Sequence, residues 1–397
     1  MRPGHELPPS RWNRGIAPDS SRLARRKEQQ DAQPRSRTCL TYRVSGADPG
    51  QGGQRPRPND GRKPDSPPDL HKPSWKYAFT RALSEFSKDH VTDLAASLTY
   101  FAVLSMFPML LALVSLLGVF GQGEQSAQGI RTLIEQYAPE ELAGLLGDTV
   151  SGLAEQTGAG FALVTGLVLA LWAASGYVGA FSRAMNRIYE VEEGRPFWKH
   201  KPQMLLLTLV LVIILAVMVF AMVLSGDLAQ SVGDLIGLGG TAVLVWNIAK
   251  WPVIVALAVL VIAMLYYYTP NVEQPRLRWI SVGAVLALVV AAVAGVAFSI
   301  YVSNFASYNA TYGIIGSFIV LLLGLWIVNT VLLFGAEVDA EIERGRQLQG
   351  GIEAEETIKL PPRETRASEK LADRHSKLVT RGRELRLENG RGRSKER

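Results

Sequence analysis

Charge is absent from one long part of this chain: no Asp, Glu, Lys or Arg occurs among the 58 residues from Trp279 to Ala336. A helix needs about 20 apolar residues to cross the hydrocarbon core of a bilayer. The run can therefore cross twice, with the polar and aromatic stretch from Asn304 to Gly313 as the turn between the two crossings. A soluble core would not tolerate so long an uncharged run, so the sequence predicts an integral membrane protein.

Cysteine and histidine are also scarce. The single cysteine, Cys39, excludes an internal disulfide and suggests no metal cluster. The five histidines lie outside the charge-free windows, and none is paired at the spacing of metal ligands. A Ser-His-Asp set, a Walker loop, a dinucleotide fingerprint and a zinc signature are all missing. We therefore expect no catalytic residue, no metal and no cofactor, and a protein that is not an enzyme.

Windows without charge mark the membrane helices. Five are free of charge, and one carries a single lysine near its start. The predicted spans are about 94–120, 160–182, 203–226, 243–268, 279–303 and 312–336. The predicted fold class is all-α, a polytopic membrane helix bundle of six transmembrane helices with disordered N- and C-terminal tails.

The two tails differ in composition from the membrane domain, residues 75–344. Residues 1–74 are rich in Pro, Arg and Gly and bury too little apolar surface to offset backbone entropy, which predicts disorder. Residues 345–397 alternate charges of both signs, which predicts a frayed, partly helical cytoplasmic tail. Contact of this tail with anionic lipid headgroups, or weak nucleic-acid binding, is the alternative. The basic pI alone is no reason to expect a nucleic-acid partner.

Lysine and arginine are concentrated in alternate loops. They precede span one and follow spans two, four and six, whereas the other three loops hold only Arg131. The positive-inside rule then places both termini in the cytoplasm. Within the loop from Gly121 to Gly158, apolar residues at helical spacing predict two short amphipathic helices. Residues 75–90, with Trp75 and Phe79 among basic residues, predict an interfacial helix.

Small residues recur every fourth position in span five: Gly283, Ala287, Ala291, Gly295 and Ser299. Such a groove lets a neighbouring helix approach closely. We interpret span five as a central, tightly packed helix; a permeation lining is the alternative.

Polar groups near the membrane are the candidate functional residues, because each is costly there. Asp93 opens span one, where it can cap the helix or pair with Arg183 or Arg187. Lys250 lies near the outer end of span four, where it can reach headgroups by snorkelling or bind an anion.

Further candidates lie within or between the spans. Pro108 should kink the first helix beside Tyr100, which would open room for water or substrate. Tyr308 and Tyr312 lie at the turn between spans five and six. Asn329 and Thr330 are expected to hydrogen-bond a neighbouring helix. At the cytoplasmic end of span six, the acidic residues Glu337, Asp339 and Glu341 are expected to be solvated.

Several short motifs together resemble the YihY/BrkB family of bacterial inner-membrane proteins. They cover about Trp75 to Arg346 and omit both tails. The motifs are Asp93-x-Ala-Ala-x-x-Thr-Tyr100, Phe107-Pro108, Asn186-Arg-Ile-Tyr189, Tyr267-Tyr-Thr-Pro-Asn271, Gly283-Ala284, the tyrosines from Tyr301 to Tyr312, and Gly335-Ala-Glu337. The family pattern often ends Gly-Ala-Glu-Leu-Asn, whereas this chain has Val338 and Asp339.

The resemblance implies a multi-pass protein of the bacterial plasma membrane without a settled biochemical activity. A virulence role and transport have been supposed for such proteins, and some have carried the label ribonuclease BN. The first hypothesis is transport or lipid handling, with a polar route among the first span, Lys250 and the Tyr308–Tyr312 turn. A non-transporting membrane scaffold is the alternative, and a ribonuclease is the least favoured. The expected partners are membrane lipids, no nucleic acid is expected, and the oligomeric state stays open.

Overall fold

The computed structural model describes residues 55–119, 159–223, 240–275, 277–305 and 309–395. Within these ranges the only β-pairing is an isolated bridge between Val272 and Pro362, so the all-α prediction is confirmed. The helices are α1 (Lys72–Lys88), α2 (Val91–Val119), α3 (Ala159–Ile188), α4 (Phe197–Val223), α5 (Gly240–Tyr268), α6 (Leu277–Phe305), α7 (Asn309–Gln349) and α8 (Arg366–Lys395).

Four of these helices are long and apolar enough to cross a membrane. The candidate spans are Phe197–Val219, Leu244–Tyr268, Val282–Ser303 and Phe318–Gln349, and they lie in α4 to α7. Helix α2 contributes a shorter apolar segment, Val91–Met106. Helices α2 and α3 cover the first two predicted windows. Helices extend into both ends of the turn predicted between Asn304 and Gly313, because α6 ends at Phe305 and α7 begins at Asn309.

Helices α2 to α7 pack in chain order around a ring. Each of α2 to α6 contacts the next helix, and α7 returns to contact α2. Helix α7 also contacts α3 and is covered on another side by α1. At the α2–α3 contact, Gly176 lets the Phe101 ring approach to 3.3 Å from the position that a Cβ would take. Close approach of this kind is how helices associate in lipid.

The packed core lies at one end of the ring. We call this the basal end, formed by residues 55–90, 183–200, 265–283 and 337–365. Large side chains such as Phe181, Met185 and Tyr266 are fully buried near it. Farther along α4 to α6, apolar side chains such as Ile213 and Val293 are exposed. Exposed apolar surface of this extent suits contact with lipid.

Helix α6 is not the central, tightly packed helix that its small residues predicted. Gly283 and Ala287 are buried, but a Cβ at Gly295 would meet nothing within 4 Å, and Ser299 is exposed. In the part of the chain that the structure describes, α6 packs mainly against α5 and α7, and its candidate span has the smallest buried share of the four. The small residues therefore permit close approach in one half of the helix only.

Parts of both predicted disordered tails are ordered and belong to the basal end. Lys63 and Leu70 are buried on the N-terminal side, and Ile358 and Leu360 on the C-terminal side. Apolar residues at positions 352, 354, 358 and 360 supply a buried face that a count of charges overlooks. The prediction of disorder is wrong for 55–74 and for 350–365, whereas α8 agrees with a partly helical tail. Residues 1–54 and the two predicted helices within 121–158 lie outside the described residues.

Helix α1 has two distinct faces. Ala78 and Ala82 are fully buried and contribute to the contact with α7. Phe79 packs edge-on against Phe334 of α7 but remains half-exposed, and Leu83 is exposed. This exposed aromatic and apolar side is consistent with the interfacial helix that the sequence predicts.

Candidate functional site

The acidic end of α7 is buried, which corrects the expectation that these residues are solvated. Glu337 is 1% exposed and Asp339 is 5% exposed, and Glu341 and Glu343 are equally enclosed. The helix does not end with the predicted span at Ala336 but continues to Gln349. The chain segments 55–90 and 350–365 surround this extension, so its charged side chains lie inside protein rather than in water.

Asp339 joins two helices at their closest point. Its Oδ1 accepts a hydrogen bond from the backbone N–H of Gly283 in α6, over 2.7 Å. A Cβ at Gly283 would lie 2.4 Å from both Asp339 Cγ and the Gly335 carbonyl oxygen, so only glycine fits there. The second carboxyl oxygen, Oδ2, is buried without a hydrogen-bond partner in the described part of the chain.

Glu337 lies in an unfavourable electrostatic environment. Its Oε1 is buried and has no hydrogen-bond partner among the residues that the structure describes. The ionisable groups that act on it most strongly are themselves carboxyls: Asp89, Glu341, Glu85 and Glu190. A buried charge without a partner costs free energy. Glu337 is therefore the least compensated group of the acidic end.

The next acidic residue of the same face, Glu341, is well compensated. Arg344 donates from Nε to both of its carboxyl oxygens, at 3.0 and 2.9 Å. The same guanidinium also reaches the Ala354 carbonyl at 2.9 Å and Glu190 Oε1 at 3.2 Å. Arg344 thereby ties α7 to the α3–α4 loop and to the C-terminal segment. Arg81 of α1 adds a longer ion pair to Glu341, 3.6 Å from Nε to Oε2.

Glu343 is compensated from the N-terminal side. Lys63 Nζ lies 2.8 Å from its Oε1, and both side chains are almost completely buried. Arg346 forms a short ion pair with the other oxygen, and Gln347 donates to Oε1 over 2.9 Å. Arg346 also donates to the Pro64 carbonyl over 3.0 Å. A residue of the predicted N-terminal tail, Lys63, therefore helps to neutralise Glu343 at the end of α7.

A second polar network joins the α3–α4 and α5–α6 loops. Asn186 accepts from the Asn271 backbone N–H over 2.7 Å, and its Nδ2 donates to Glu193 over 2.9 Å. Arg195 donates to Ser182 Oγ and to the Thr269 carbonyl, at 3.1 and 2.7 Å. The Asn186 and Asn271 motifs that carried the family resemblance therefore meet in space.

The C-terminal segment closes this second network. Arg363 donates to the carbonyls of Val272 and Tyr267, at 2.7 and 2.5 Å. Asn271 Nδ2 donates to the Glu364 carbonyl over 2.8 Å. Burial acts to lower the pKa of Arg363, and the nearby Arg195 acts in the same direction. Burial disfavours the charged form of Arg363, and the two backbone carbonyls that accept its hydrogen bonds stabilise that charge.

Burial and hydrogen bonding shift the pKa of Glu193 in opposite directions. Burial acts to raise the pKa of this carboxyl, while the hydrogen bonds and charge of Arg195 act to lower it. The hydrogen bonds prevail, so the pKa of Glu193 lies below its usual value. Glu193 therefore stays ionised and holds Arg195, whose Nη2 lies 2.7 Å away.

The predicted candidate residues whose side chains the structure describes have different surroundings. Asp93 lies in the first turn of α2 with an exposed side chain. Arg187 pairs with Asp89 of the α1–α2 connection at 3.6 Å, and Arg183 lies over the Phe101 ring at 5.7 Å. Tyr100 is exposed.

The remaining candidates lie elsewhere along the bundle. Lys250 is buried in α5, with its Nζ 3.3 Å from Asn247 Oδ1. Pro108 lies within α2 and Tyr312 within α7. Tyr308 lies outside the described residues. A single polar route through these groups stays a prediction.

The hypothesis that Asn329 bonds a neighbouring helix is confirmed. Its Oδ1 accepts from Tyr177 OH of α3 over 2.8 Å, and its Nδ2 donates to Thr99 Oγ1 of α2 over 3.1 Å. Thr330 instead donates to the Trp326 carbonyl of its own helix over 2.7 Å. One amide therefore links three helices within the bundle.

Sequence reasoning did not single out Arg344, Glu190, Arg195 or Arg363 as site residues. For Arg344, Glu190 and Arg195 the available signal was position, since each lies eight residues from a predicted span end. Arg363 lies 27 residues beyond the last span and carried no such signal. Among the described residues no group of three or more His, Cys, Asp and Glu is arranged to hold a metal ion. That the protein uses no metal and is not an enzyme stays a prediction.

A helical chain with several apolar spans and polar networks at one end is a multi-pass membrane protein. The family model described as Virulence factor BrkB matches residues 82–358, so the chain belongs to that family, and the resemblance in the sequence is confirmed. The matched range includes the acidic end of α7 and the Asn186–Asn271 network.

Three relatives are similar over most of the matched range. YfkH of Bacillus subtilis, whose name describes it as ribonuclease-like, is 31% identical over 254 residues, 64% of this chain and 90% of the relative. A UPF0761 membrane protein of Verminephrobacter eiseniae is 28% identical, covering 68% and 63% of the two chains. Another from Aliivibrio salmonicida is 25% identical, covering 69% and 85%. No solved structure matches this chain.

Proposed function

We propose that this protein spans the plasma membrane six times and moves or handles a solute or lipid there, with Glu337 as the charged element of that activity. The observation that carries the proposal is the burial of Glu337, 1% exposed and with Oε1 unbonded in the described part of the chain. An ionisable group at membrane depth is expensive, and proteins retain such groups at ion and substrate pathways.

The neighbours of Glu337 support a functional rather than a structural role. Glu341 and Glu343 lie on the same helix and are equally buried, and both have basic partners within 3.0 Å. Glu337 lies among carboxyls instead. A residue that served only to hold helices together would have partners across the contact, as Asn329 does. An uncompensated carboxyl is suited to taking up a proton or a cation when the site opens.

The proposed topology places the basal end at the cytoplasmic face. The end of α3, the start of α4 and the loop between them gather there, and they carry the basic residues of one predicted inner loop: Arg183, Arg187, Arg195, Lys199 and Lys201. Both termini are then cytoplasmic. Helices α2 and α3 supply the first two of the six spans, and α4 to α7 the other four. In this orientation Glu337 would lie at the inner end of the bundle.

Reconstitution of the purified full-length chain tests the proposal. Lipid movement is measured with NBD-labelled phosphatidylethanolamine and dithionite, and proton movement with a pH-sensitive dye inside the vesicles. We expect wild-type protein to support at least one of these movements and Glu337→Gln to reduce it to the level of protein-free vesicles. Glu355→Gln, at an exposed position, is the control and should behave as wild type. Wild-type vesicles without either movement, or full movement in Glu337→Gln, would contradict the proposal.

A scaffold is the second candidate, and the exposure of α8 favours it. This helix of 30 residues makes few contacts with the bundle and could recruit another protein. Truncation to residues 55–365 separates the two functions, because it keeps the segments packed at the basal end. A transporter should retain its movement in vesicles after this truncation. Loss of a cellular phenotype with retained movement in vitro would instead favour a scaffold.

The name of the Bacillus relative raises ribonuclease activity as a third candidate. The proposal here is that the chain is not an enzyme. Cleavage of a tRNA precursor by detergent-purified protein with added Mg²⁺ would contradict it, provided that an unrelated membrane protein purified in the same way gives no cleavage.

A further inference from the structure

Helix α8 carries an apolar ridge that nothing in the described chain covers. Leu371, Leu378 and Leu385 recur every seven residues, and they are 62%, 69% and 52% exposed. Residues seven apart lie close to one line along a helix. No other described helix packs extensively against α8. Three leucines in line on an exposed helix therefore form an unpartnered surface.

Basic residues border this ridge. Arg374 and Arg381 each follow one leucine by three positions and precede the next by four, so both lie directly beside the ridge. Glu369 and Asp373 are each two positions from Leu371 and so lie on the opposite face. In the whole helix ten basic residues outnumber four acidic ones. The ridge therefore presents leucine and arginine together, the pattern of helices that lie on anionic membranes.

The start of α8 is fixed beside a membrane helix. The Ala367 backbone N–H donates to the Gly194 carbonyl over 2.8 Å. Gly194 stands three residues before α4, whose first residues, Phe197 and Trp198, are both 73% exposed. Aromatic residues at the end of an apolar span are typical of the membrane–water interface. Helix α8 thus begins beside the first residue of the candidate span Phe197–Val219.

We propose that α8 lies on the membrane surface and binds anionic phospholipid headgroups through Arg374 and Arg381, with its leucines in the acyl boundary. Arginine suits this position because its stem packs on apolar surface while its guanidinium reaches phosphate. A helix of 30 residues is about 45 Å long, so it can cover several headgroups. The proposal needs α4 to enter the membrane at Phe197 and does not depend on transport by Glu337.

A second copy of this chain fits the ridge less well. If the three leucines occupied the a positions of a two-stranded coiled coil, Arg374 and Arg381 would occupy the d positions. Two facing layers of arginine would repel each other in that seam. With the leucines at d instead, the a positions would hold His375, Gly382 and Asn389, which supply no apolar layer. On an anionic surface the same arginines are attracted, which favours the membrane over a second copy.

Site-specific labelling of the full chain in lipid nanodiscs tests the proposal. Cys39→Ser removes the only native cysteine, and an environment-sensitive NBD label is then placed at Leu378→Cys or, as the matched control, at Asp373→Cys. In nanodiscs of phosphatidylcholine with phosphatidylglycerol, we expect a blue-shifted, several-fold brighter emission at 378 and a water-like emission at 373. In phosphatidylcholine alone, both labels should be water-like.

Arg374→Glu with Arg381→Glu should abolish the blue shift at 378, and high salt should weaken it because the attraction is electrostatic. The proposal is overturned if emission at 378 is independent of phosphatidylglycerol or equal to that at 373. It is also overturned if the shift at 378 requires two copies in one nanodisc, which would indicate a coiled coil. A shift produced by added RNA and not by the anionic lipid would overturn it as well.

Discussion

The backbone N–H of Gly283 in α6 donates to Oδ1 of Asp339 in α7 over 2.7 Å, at a point where a Cβ at Gly283 would overlap the opposite helix. Two short motifs far apart in the sequence thus meet at one contact. The glycine supplies close approach, and the aspartate supplies an acceptor that crosses the interface. This contact fixes the part of α7 that carries Glu337.

Gly283→Ala should destabilise the protein. The new Cβ would lie 2.4 Å from the Gly335 carbonyl oxygen, and backbone atoms cannot give way cheaply. Overpacking of this kind costs about 1–3 kcal/mol. Thermal unfolding in detergent measures the effect. Gly295→Ala in the same helix is the matched control, because nothing lies within 4 Å of its added methyl group; equal midpoints for the two variants would contradict the prediction.

Removal of the Asn329 amide should loosen three helices at once. Asn329→Ala deletes the hydrogen bonds to Tyr177 and Thr99. Hydrogen bonds between membrane helices contribute on average about 0.6 kcal/mol and at most about 1.7, so we expect a loss of about 1–3 kcal/mol.

A double-mutant cycle with Tyr177→Phe isolates one of these bonds and should give a coupling free energy of about 0.6–1.7 kcal/mol. Thr330→Val is the control, since its hydroxyl bonds only within its own helix. A coupling of zero would mean that the Tyr177–Asn329 bond does not contribute.

Gly194→Ala should release the C-terminal segment from the bundle. A Cβ at Gly194 would lie 1.8 Å from the Glu364 carbonyl oxygen, so the two backbones would have to separate. Limited proteolysis should then cut between residues 350 and 366 much faster than in wild type. Gly382→Ala in α8 meets nothing within 4 Å and should leave that rate unchanged. Unchanged cleavage in Gly194→Ala would refute the packing described for this segment.

The Glu193–Arg195 pair should contribute to stability in a pH-dependent manner. The pKa of Glu193 lies below its usual value in the folded protein. Its contribution is therefore fully present above the usual pKa of a glutamate and is lost as pH falls through the lower, folded-state value. Glu193→Gln should be less stable than wild type at neutral pH, and the difference should vanish on acidification.

Unfolding midpoints measured from neutral to acidic pH check this prediction. The neighbouring exposed carboxyl provides the control, since Glu192→Gln should follow wild type at every pH. A difference that grows on acidification would have the wrong sign and would exclude the pair as the cause.

The distribution of charged residues predicted the apolar helices well, because charged side chains are costly in lipid and uncharged runs therefore mark membrane helices. The windows for spans four and five agree with α5 and α6 to within a few residues at their charged ends. Asn329 was predictable for the same reason, since a lone amide within an apolar helix needs a partner. These inferences use only the cost of polar groups in lipid, which a single sequence reveals.

The acidic end of α7 was not predictable in this way. A count of charges assigned Glu341 to water, whereas Arg344 compensates it inside protein, and the distant Lys63 compensates the neighbouring Glu343. Lys63 is 280 residues from its partner, and its segment has the composition of a disordered tail. The prediction that span five is the central helix was wrong for a related reason. Its small residues indicate where a neighbouring helix can approach closely, and not where a neighbour lies.

The central claim is that Glu337 is buried for function and not for stability. The unfolding midpoints of Glu337→Gln and Glu343→Gln in detergent test it most directly, because both residues are buried in α7 and the substitution is the same. Glu343→Gln breaks a buried ion pair and should lose about 3–5 kcal/mol. Glu337→Gln breaks no described pair and should be at least as stable as wild type. Destabilisation of Glu337→Gln to the extent of Glu343→Gln would contradict the account.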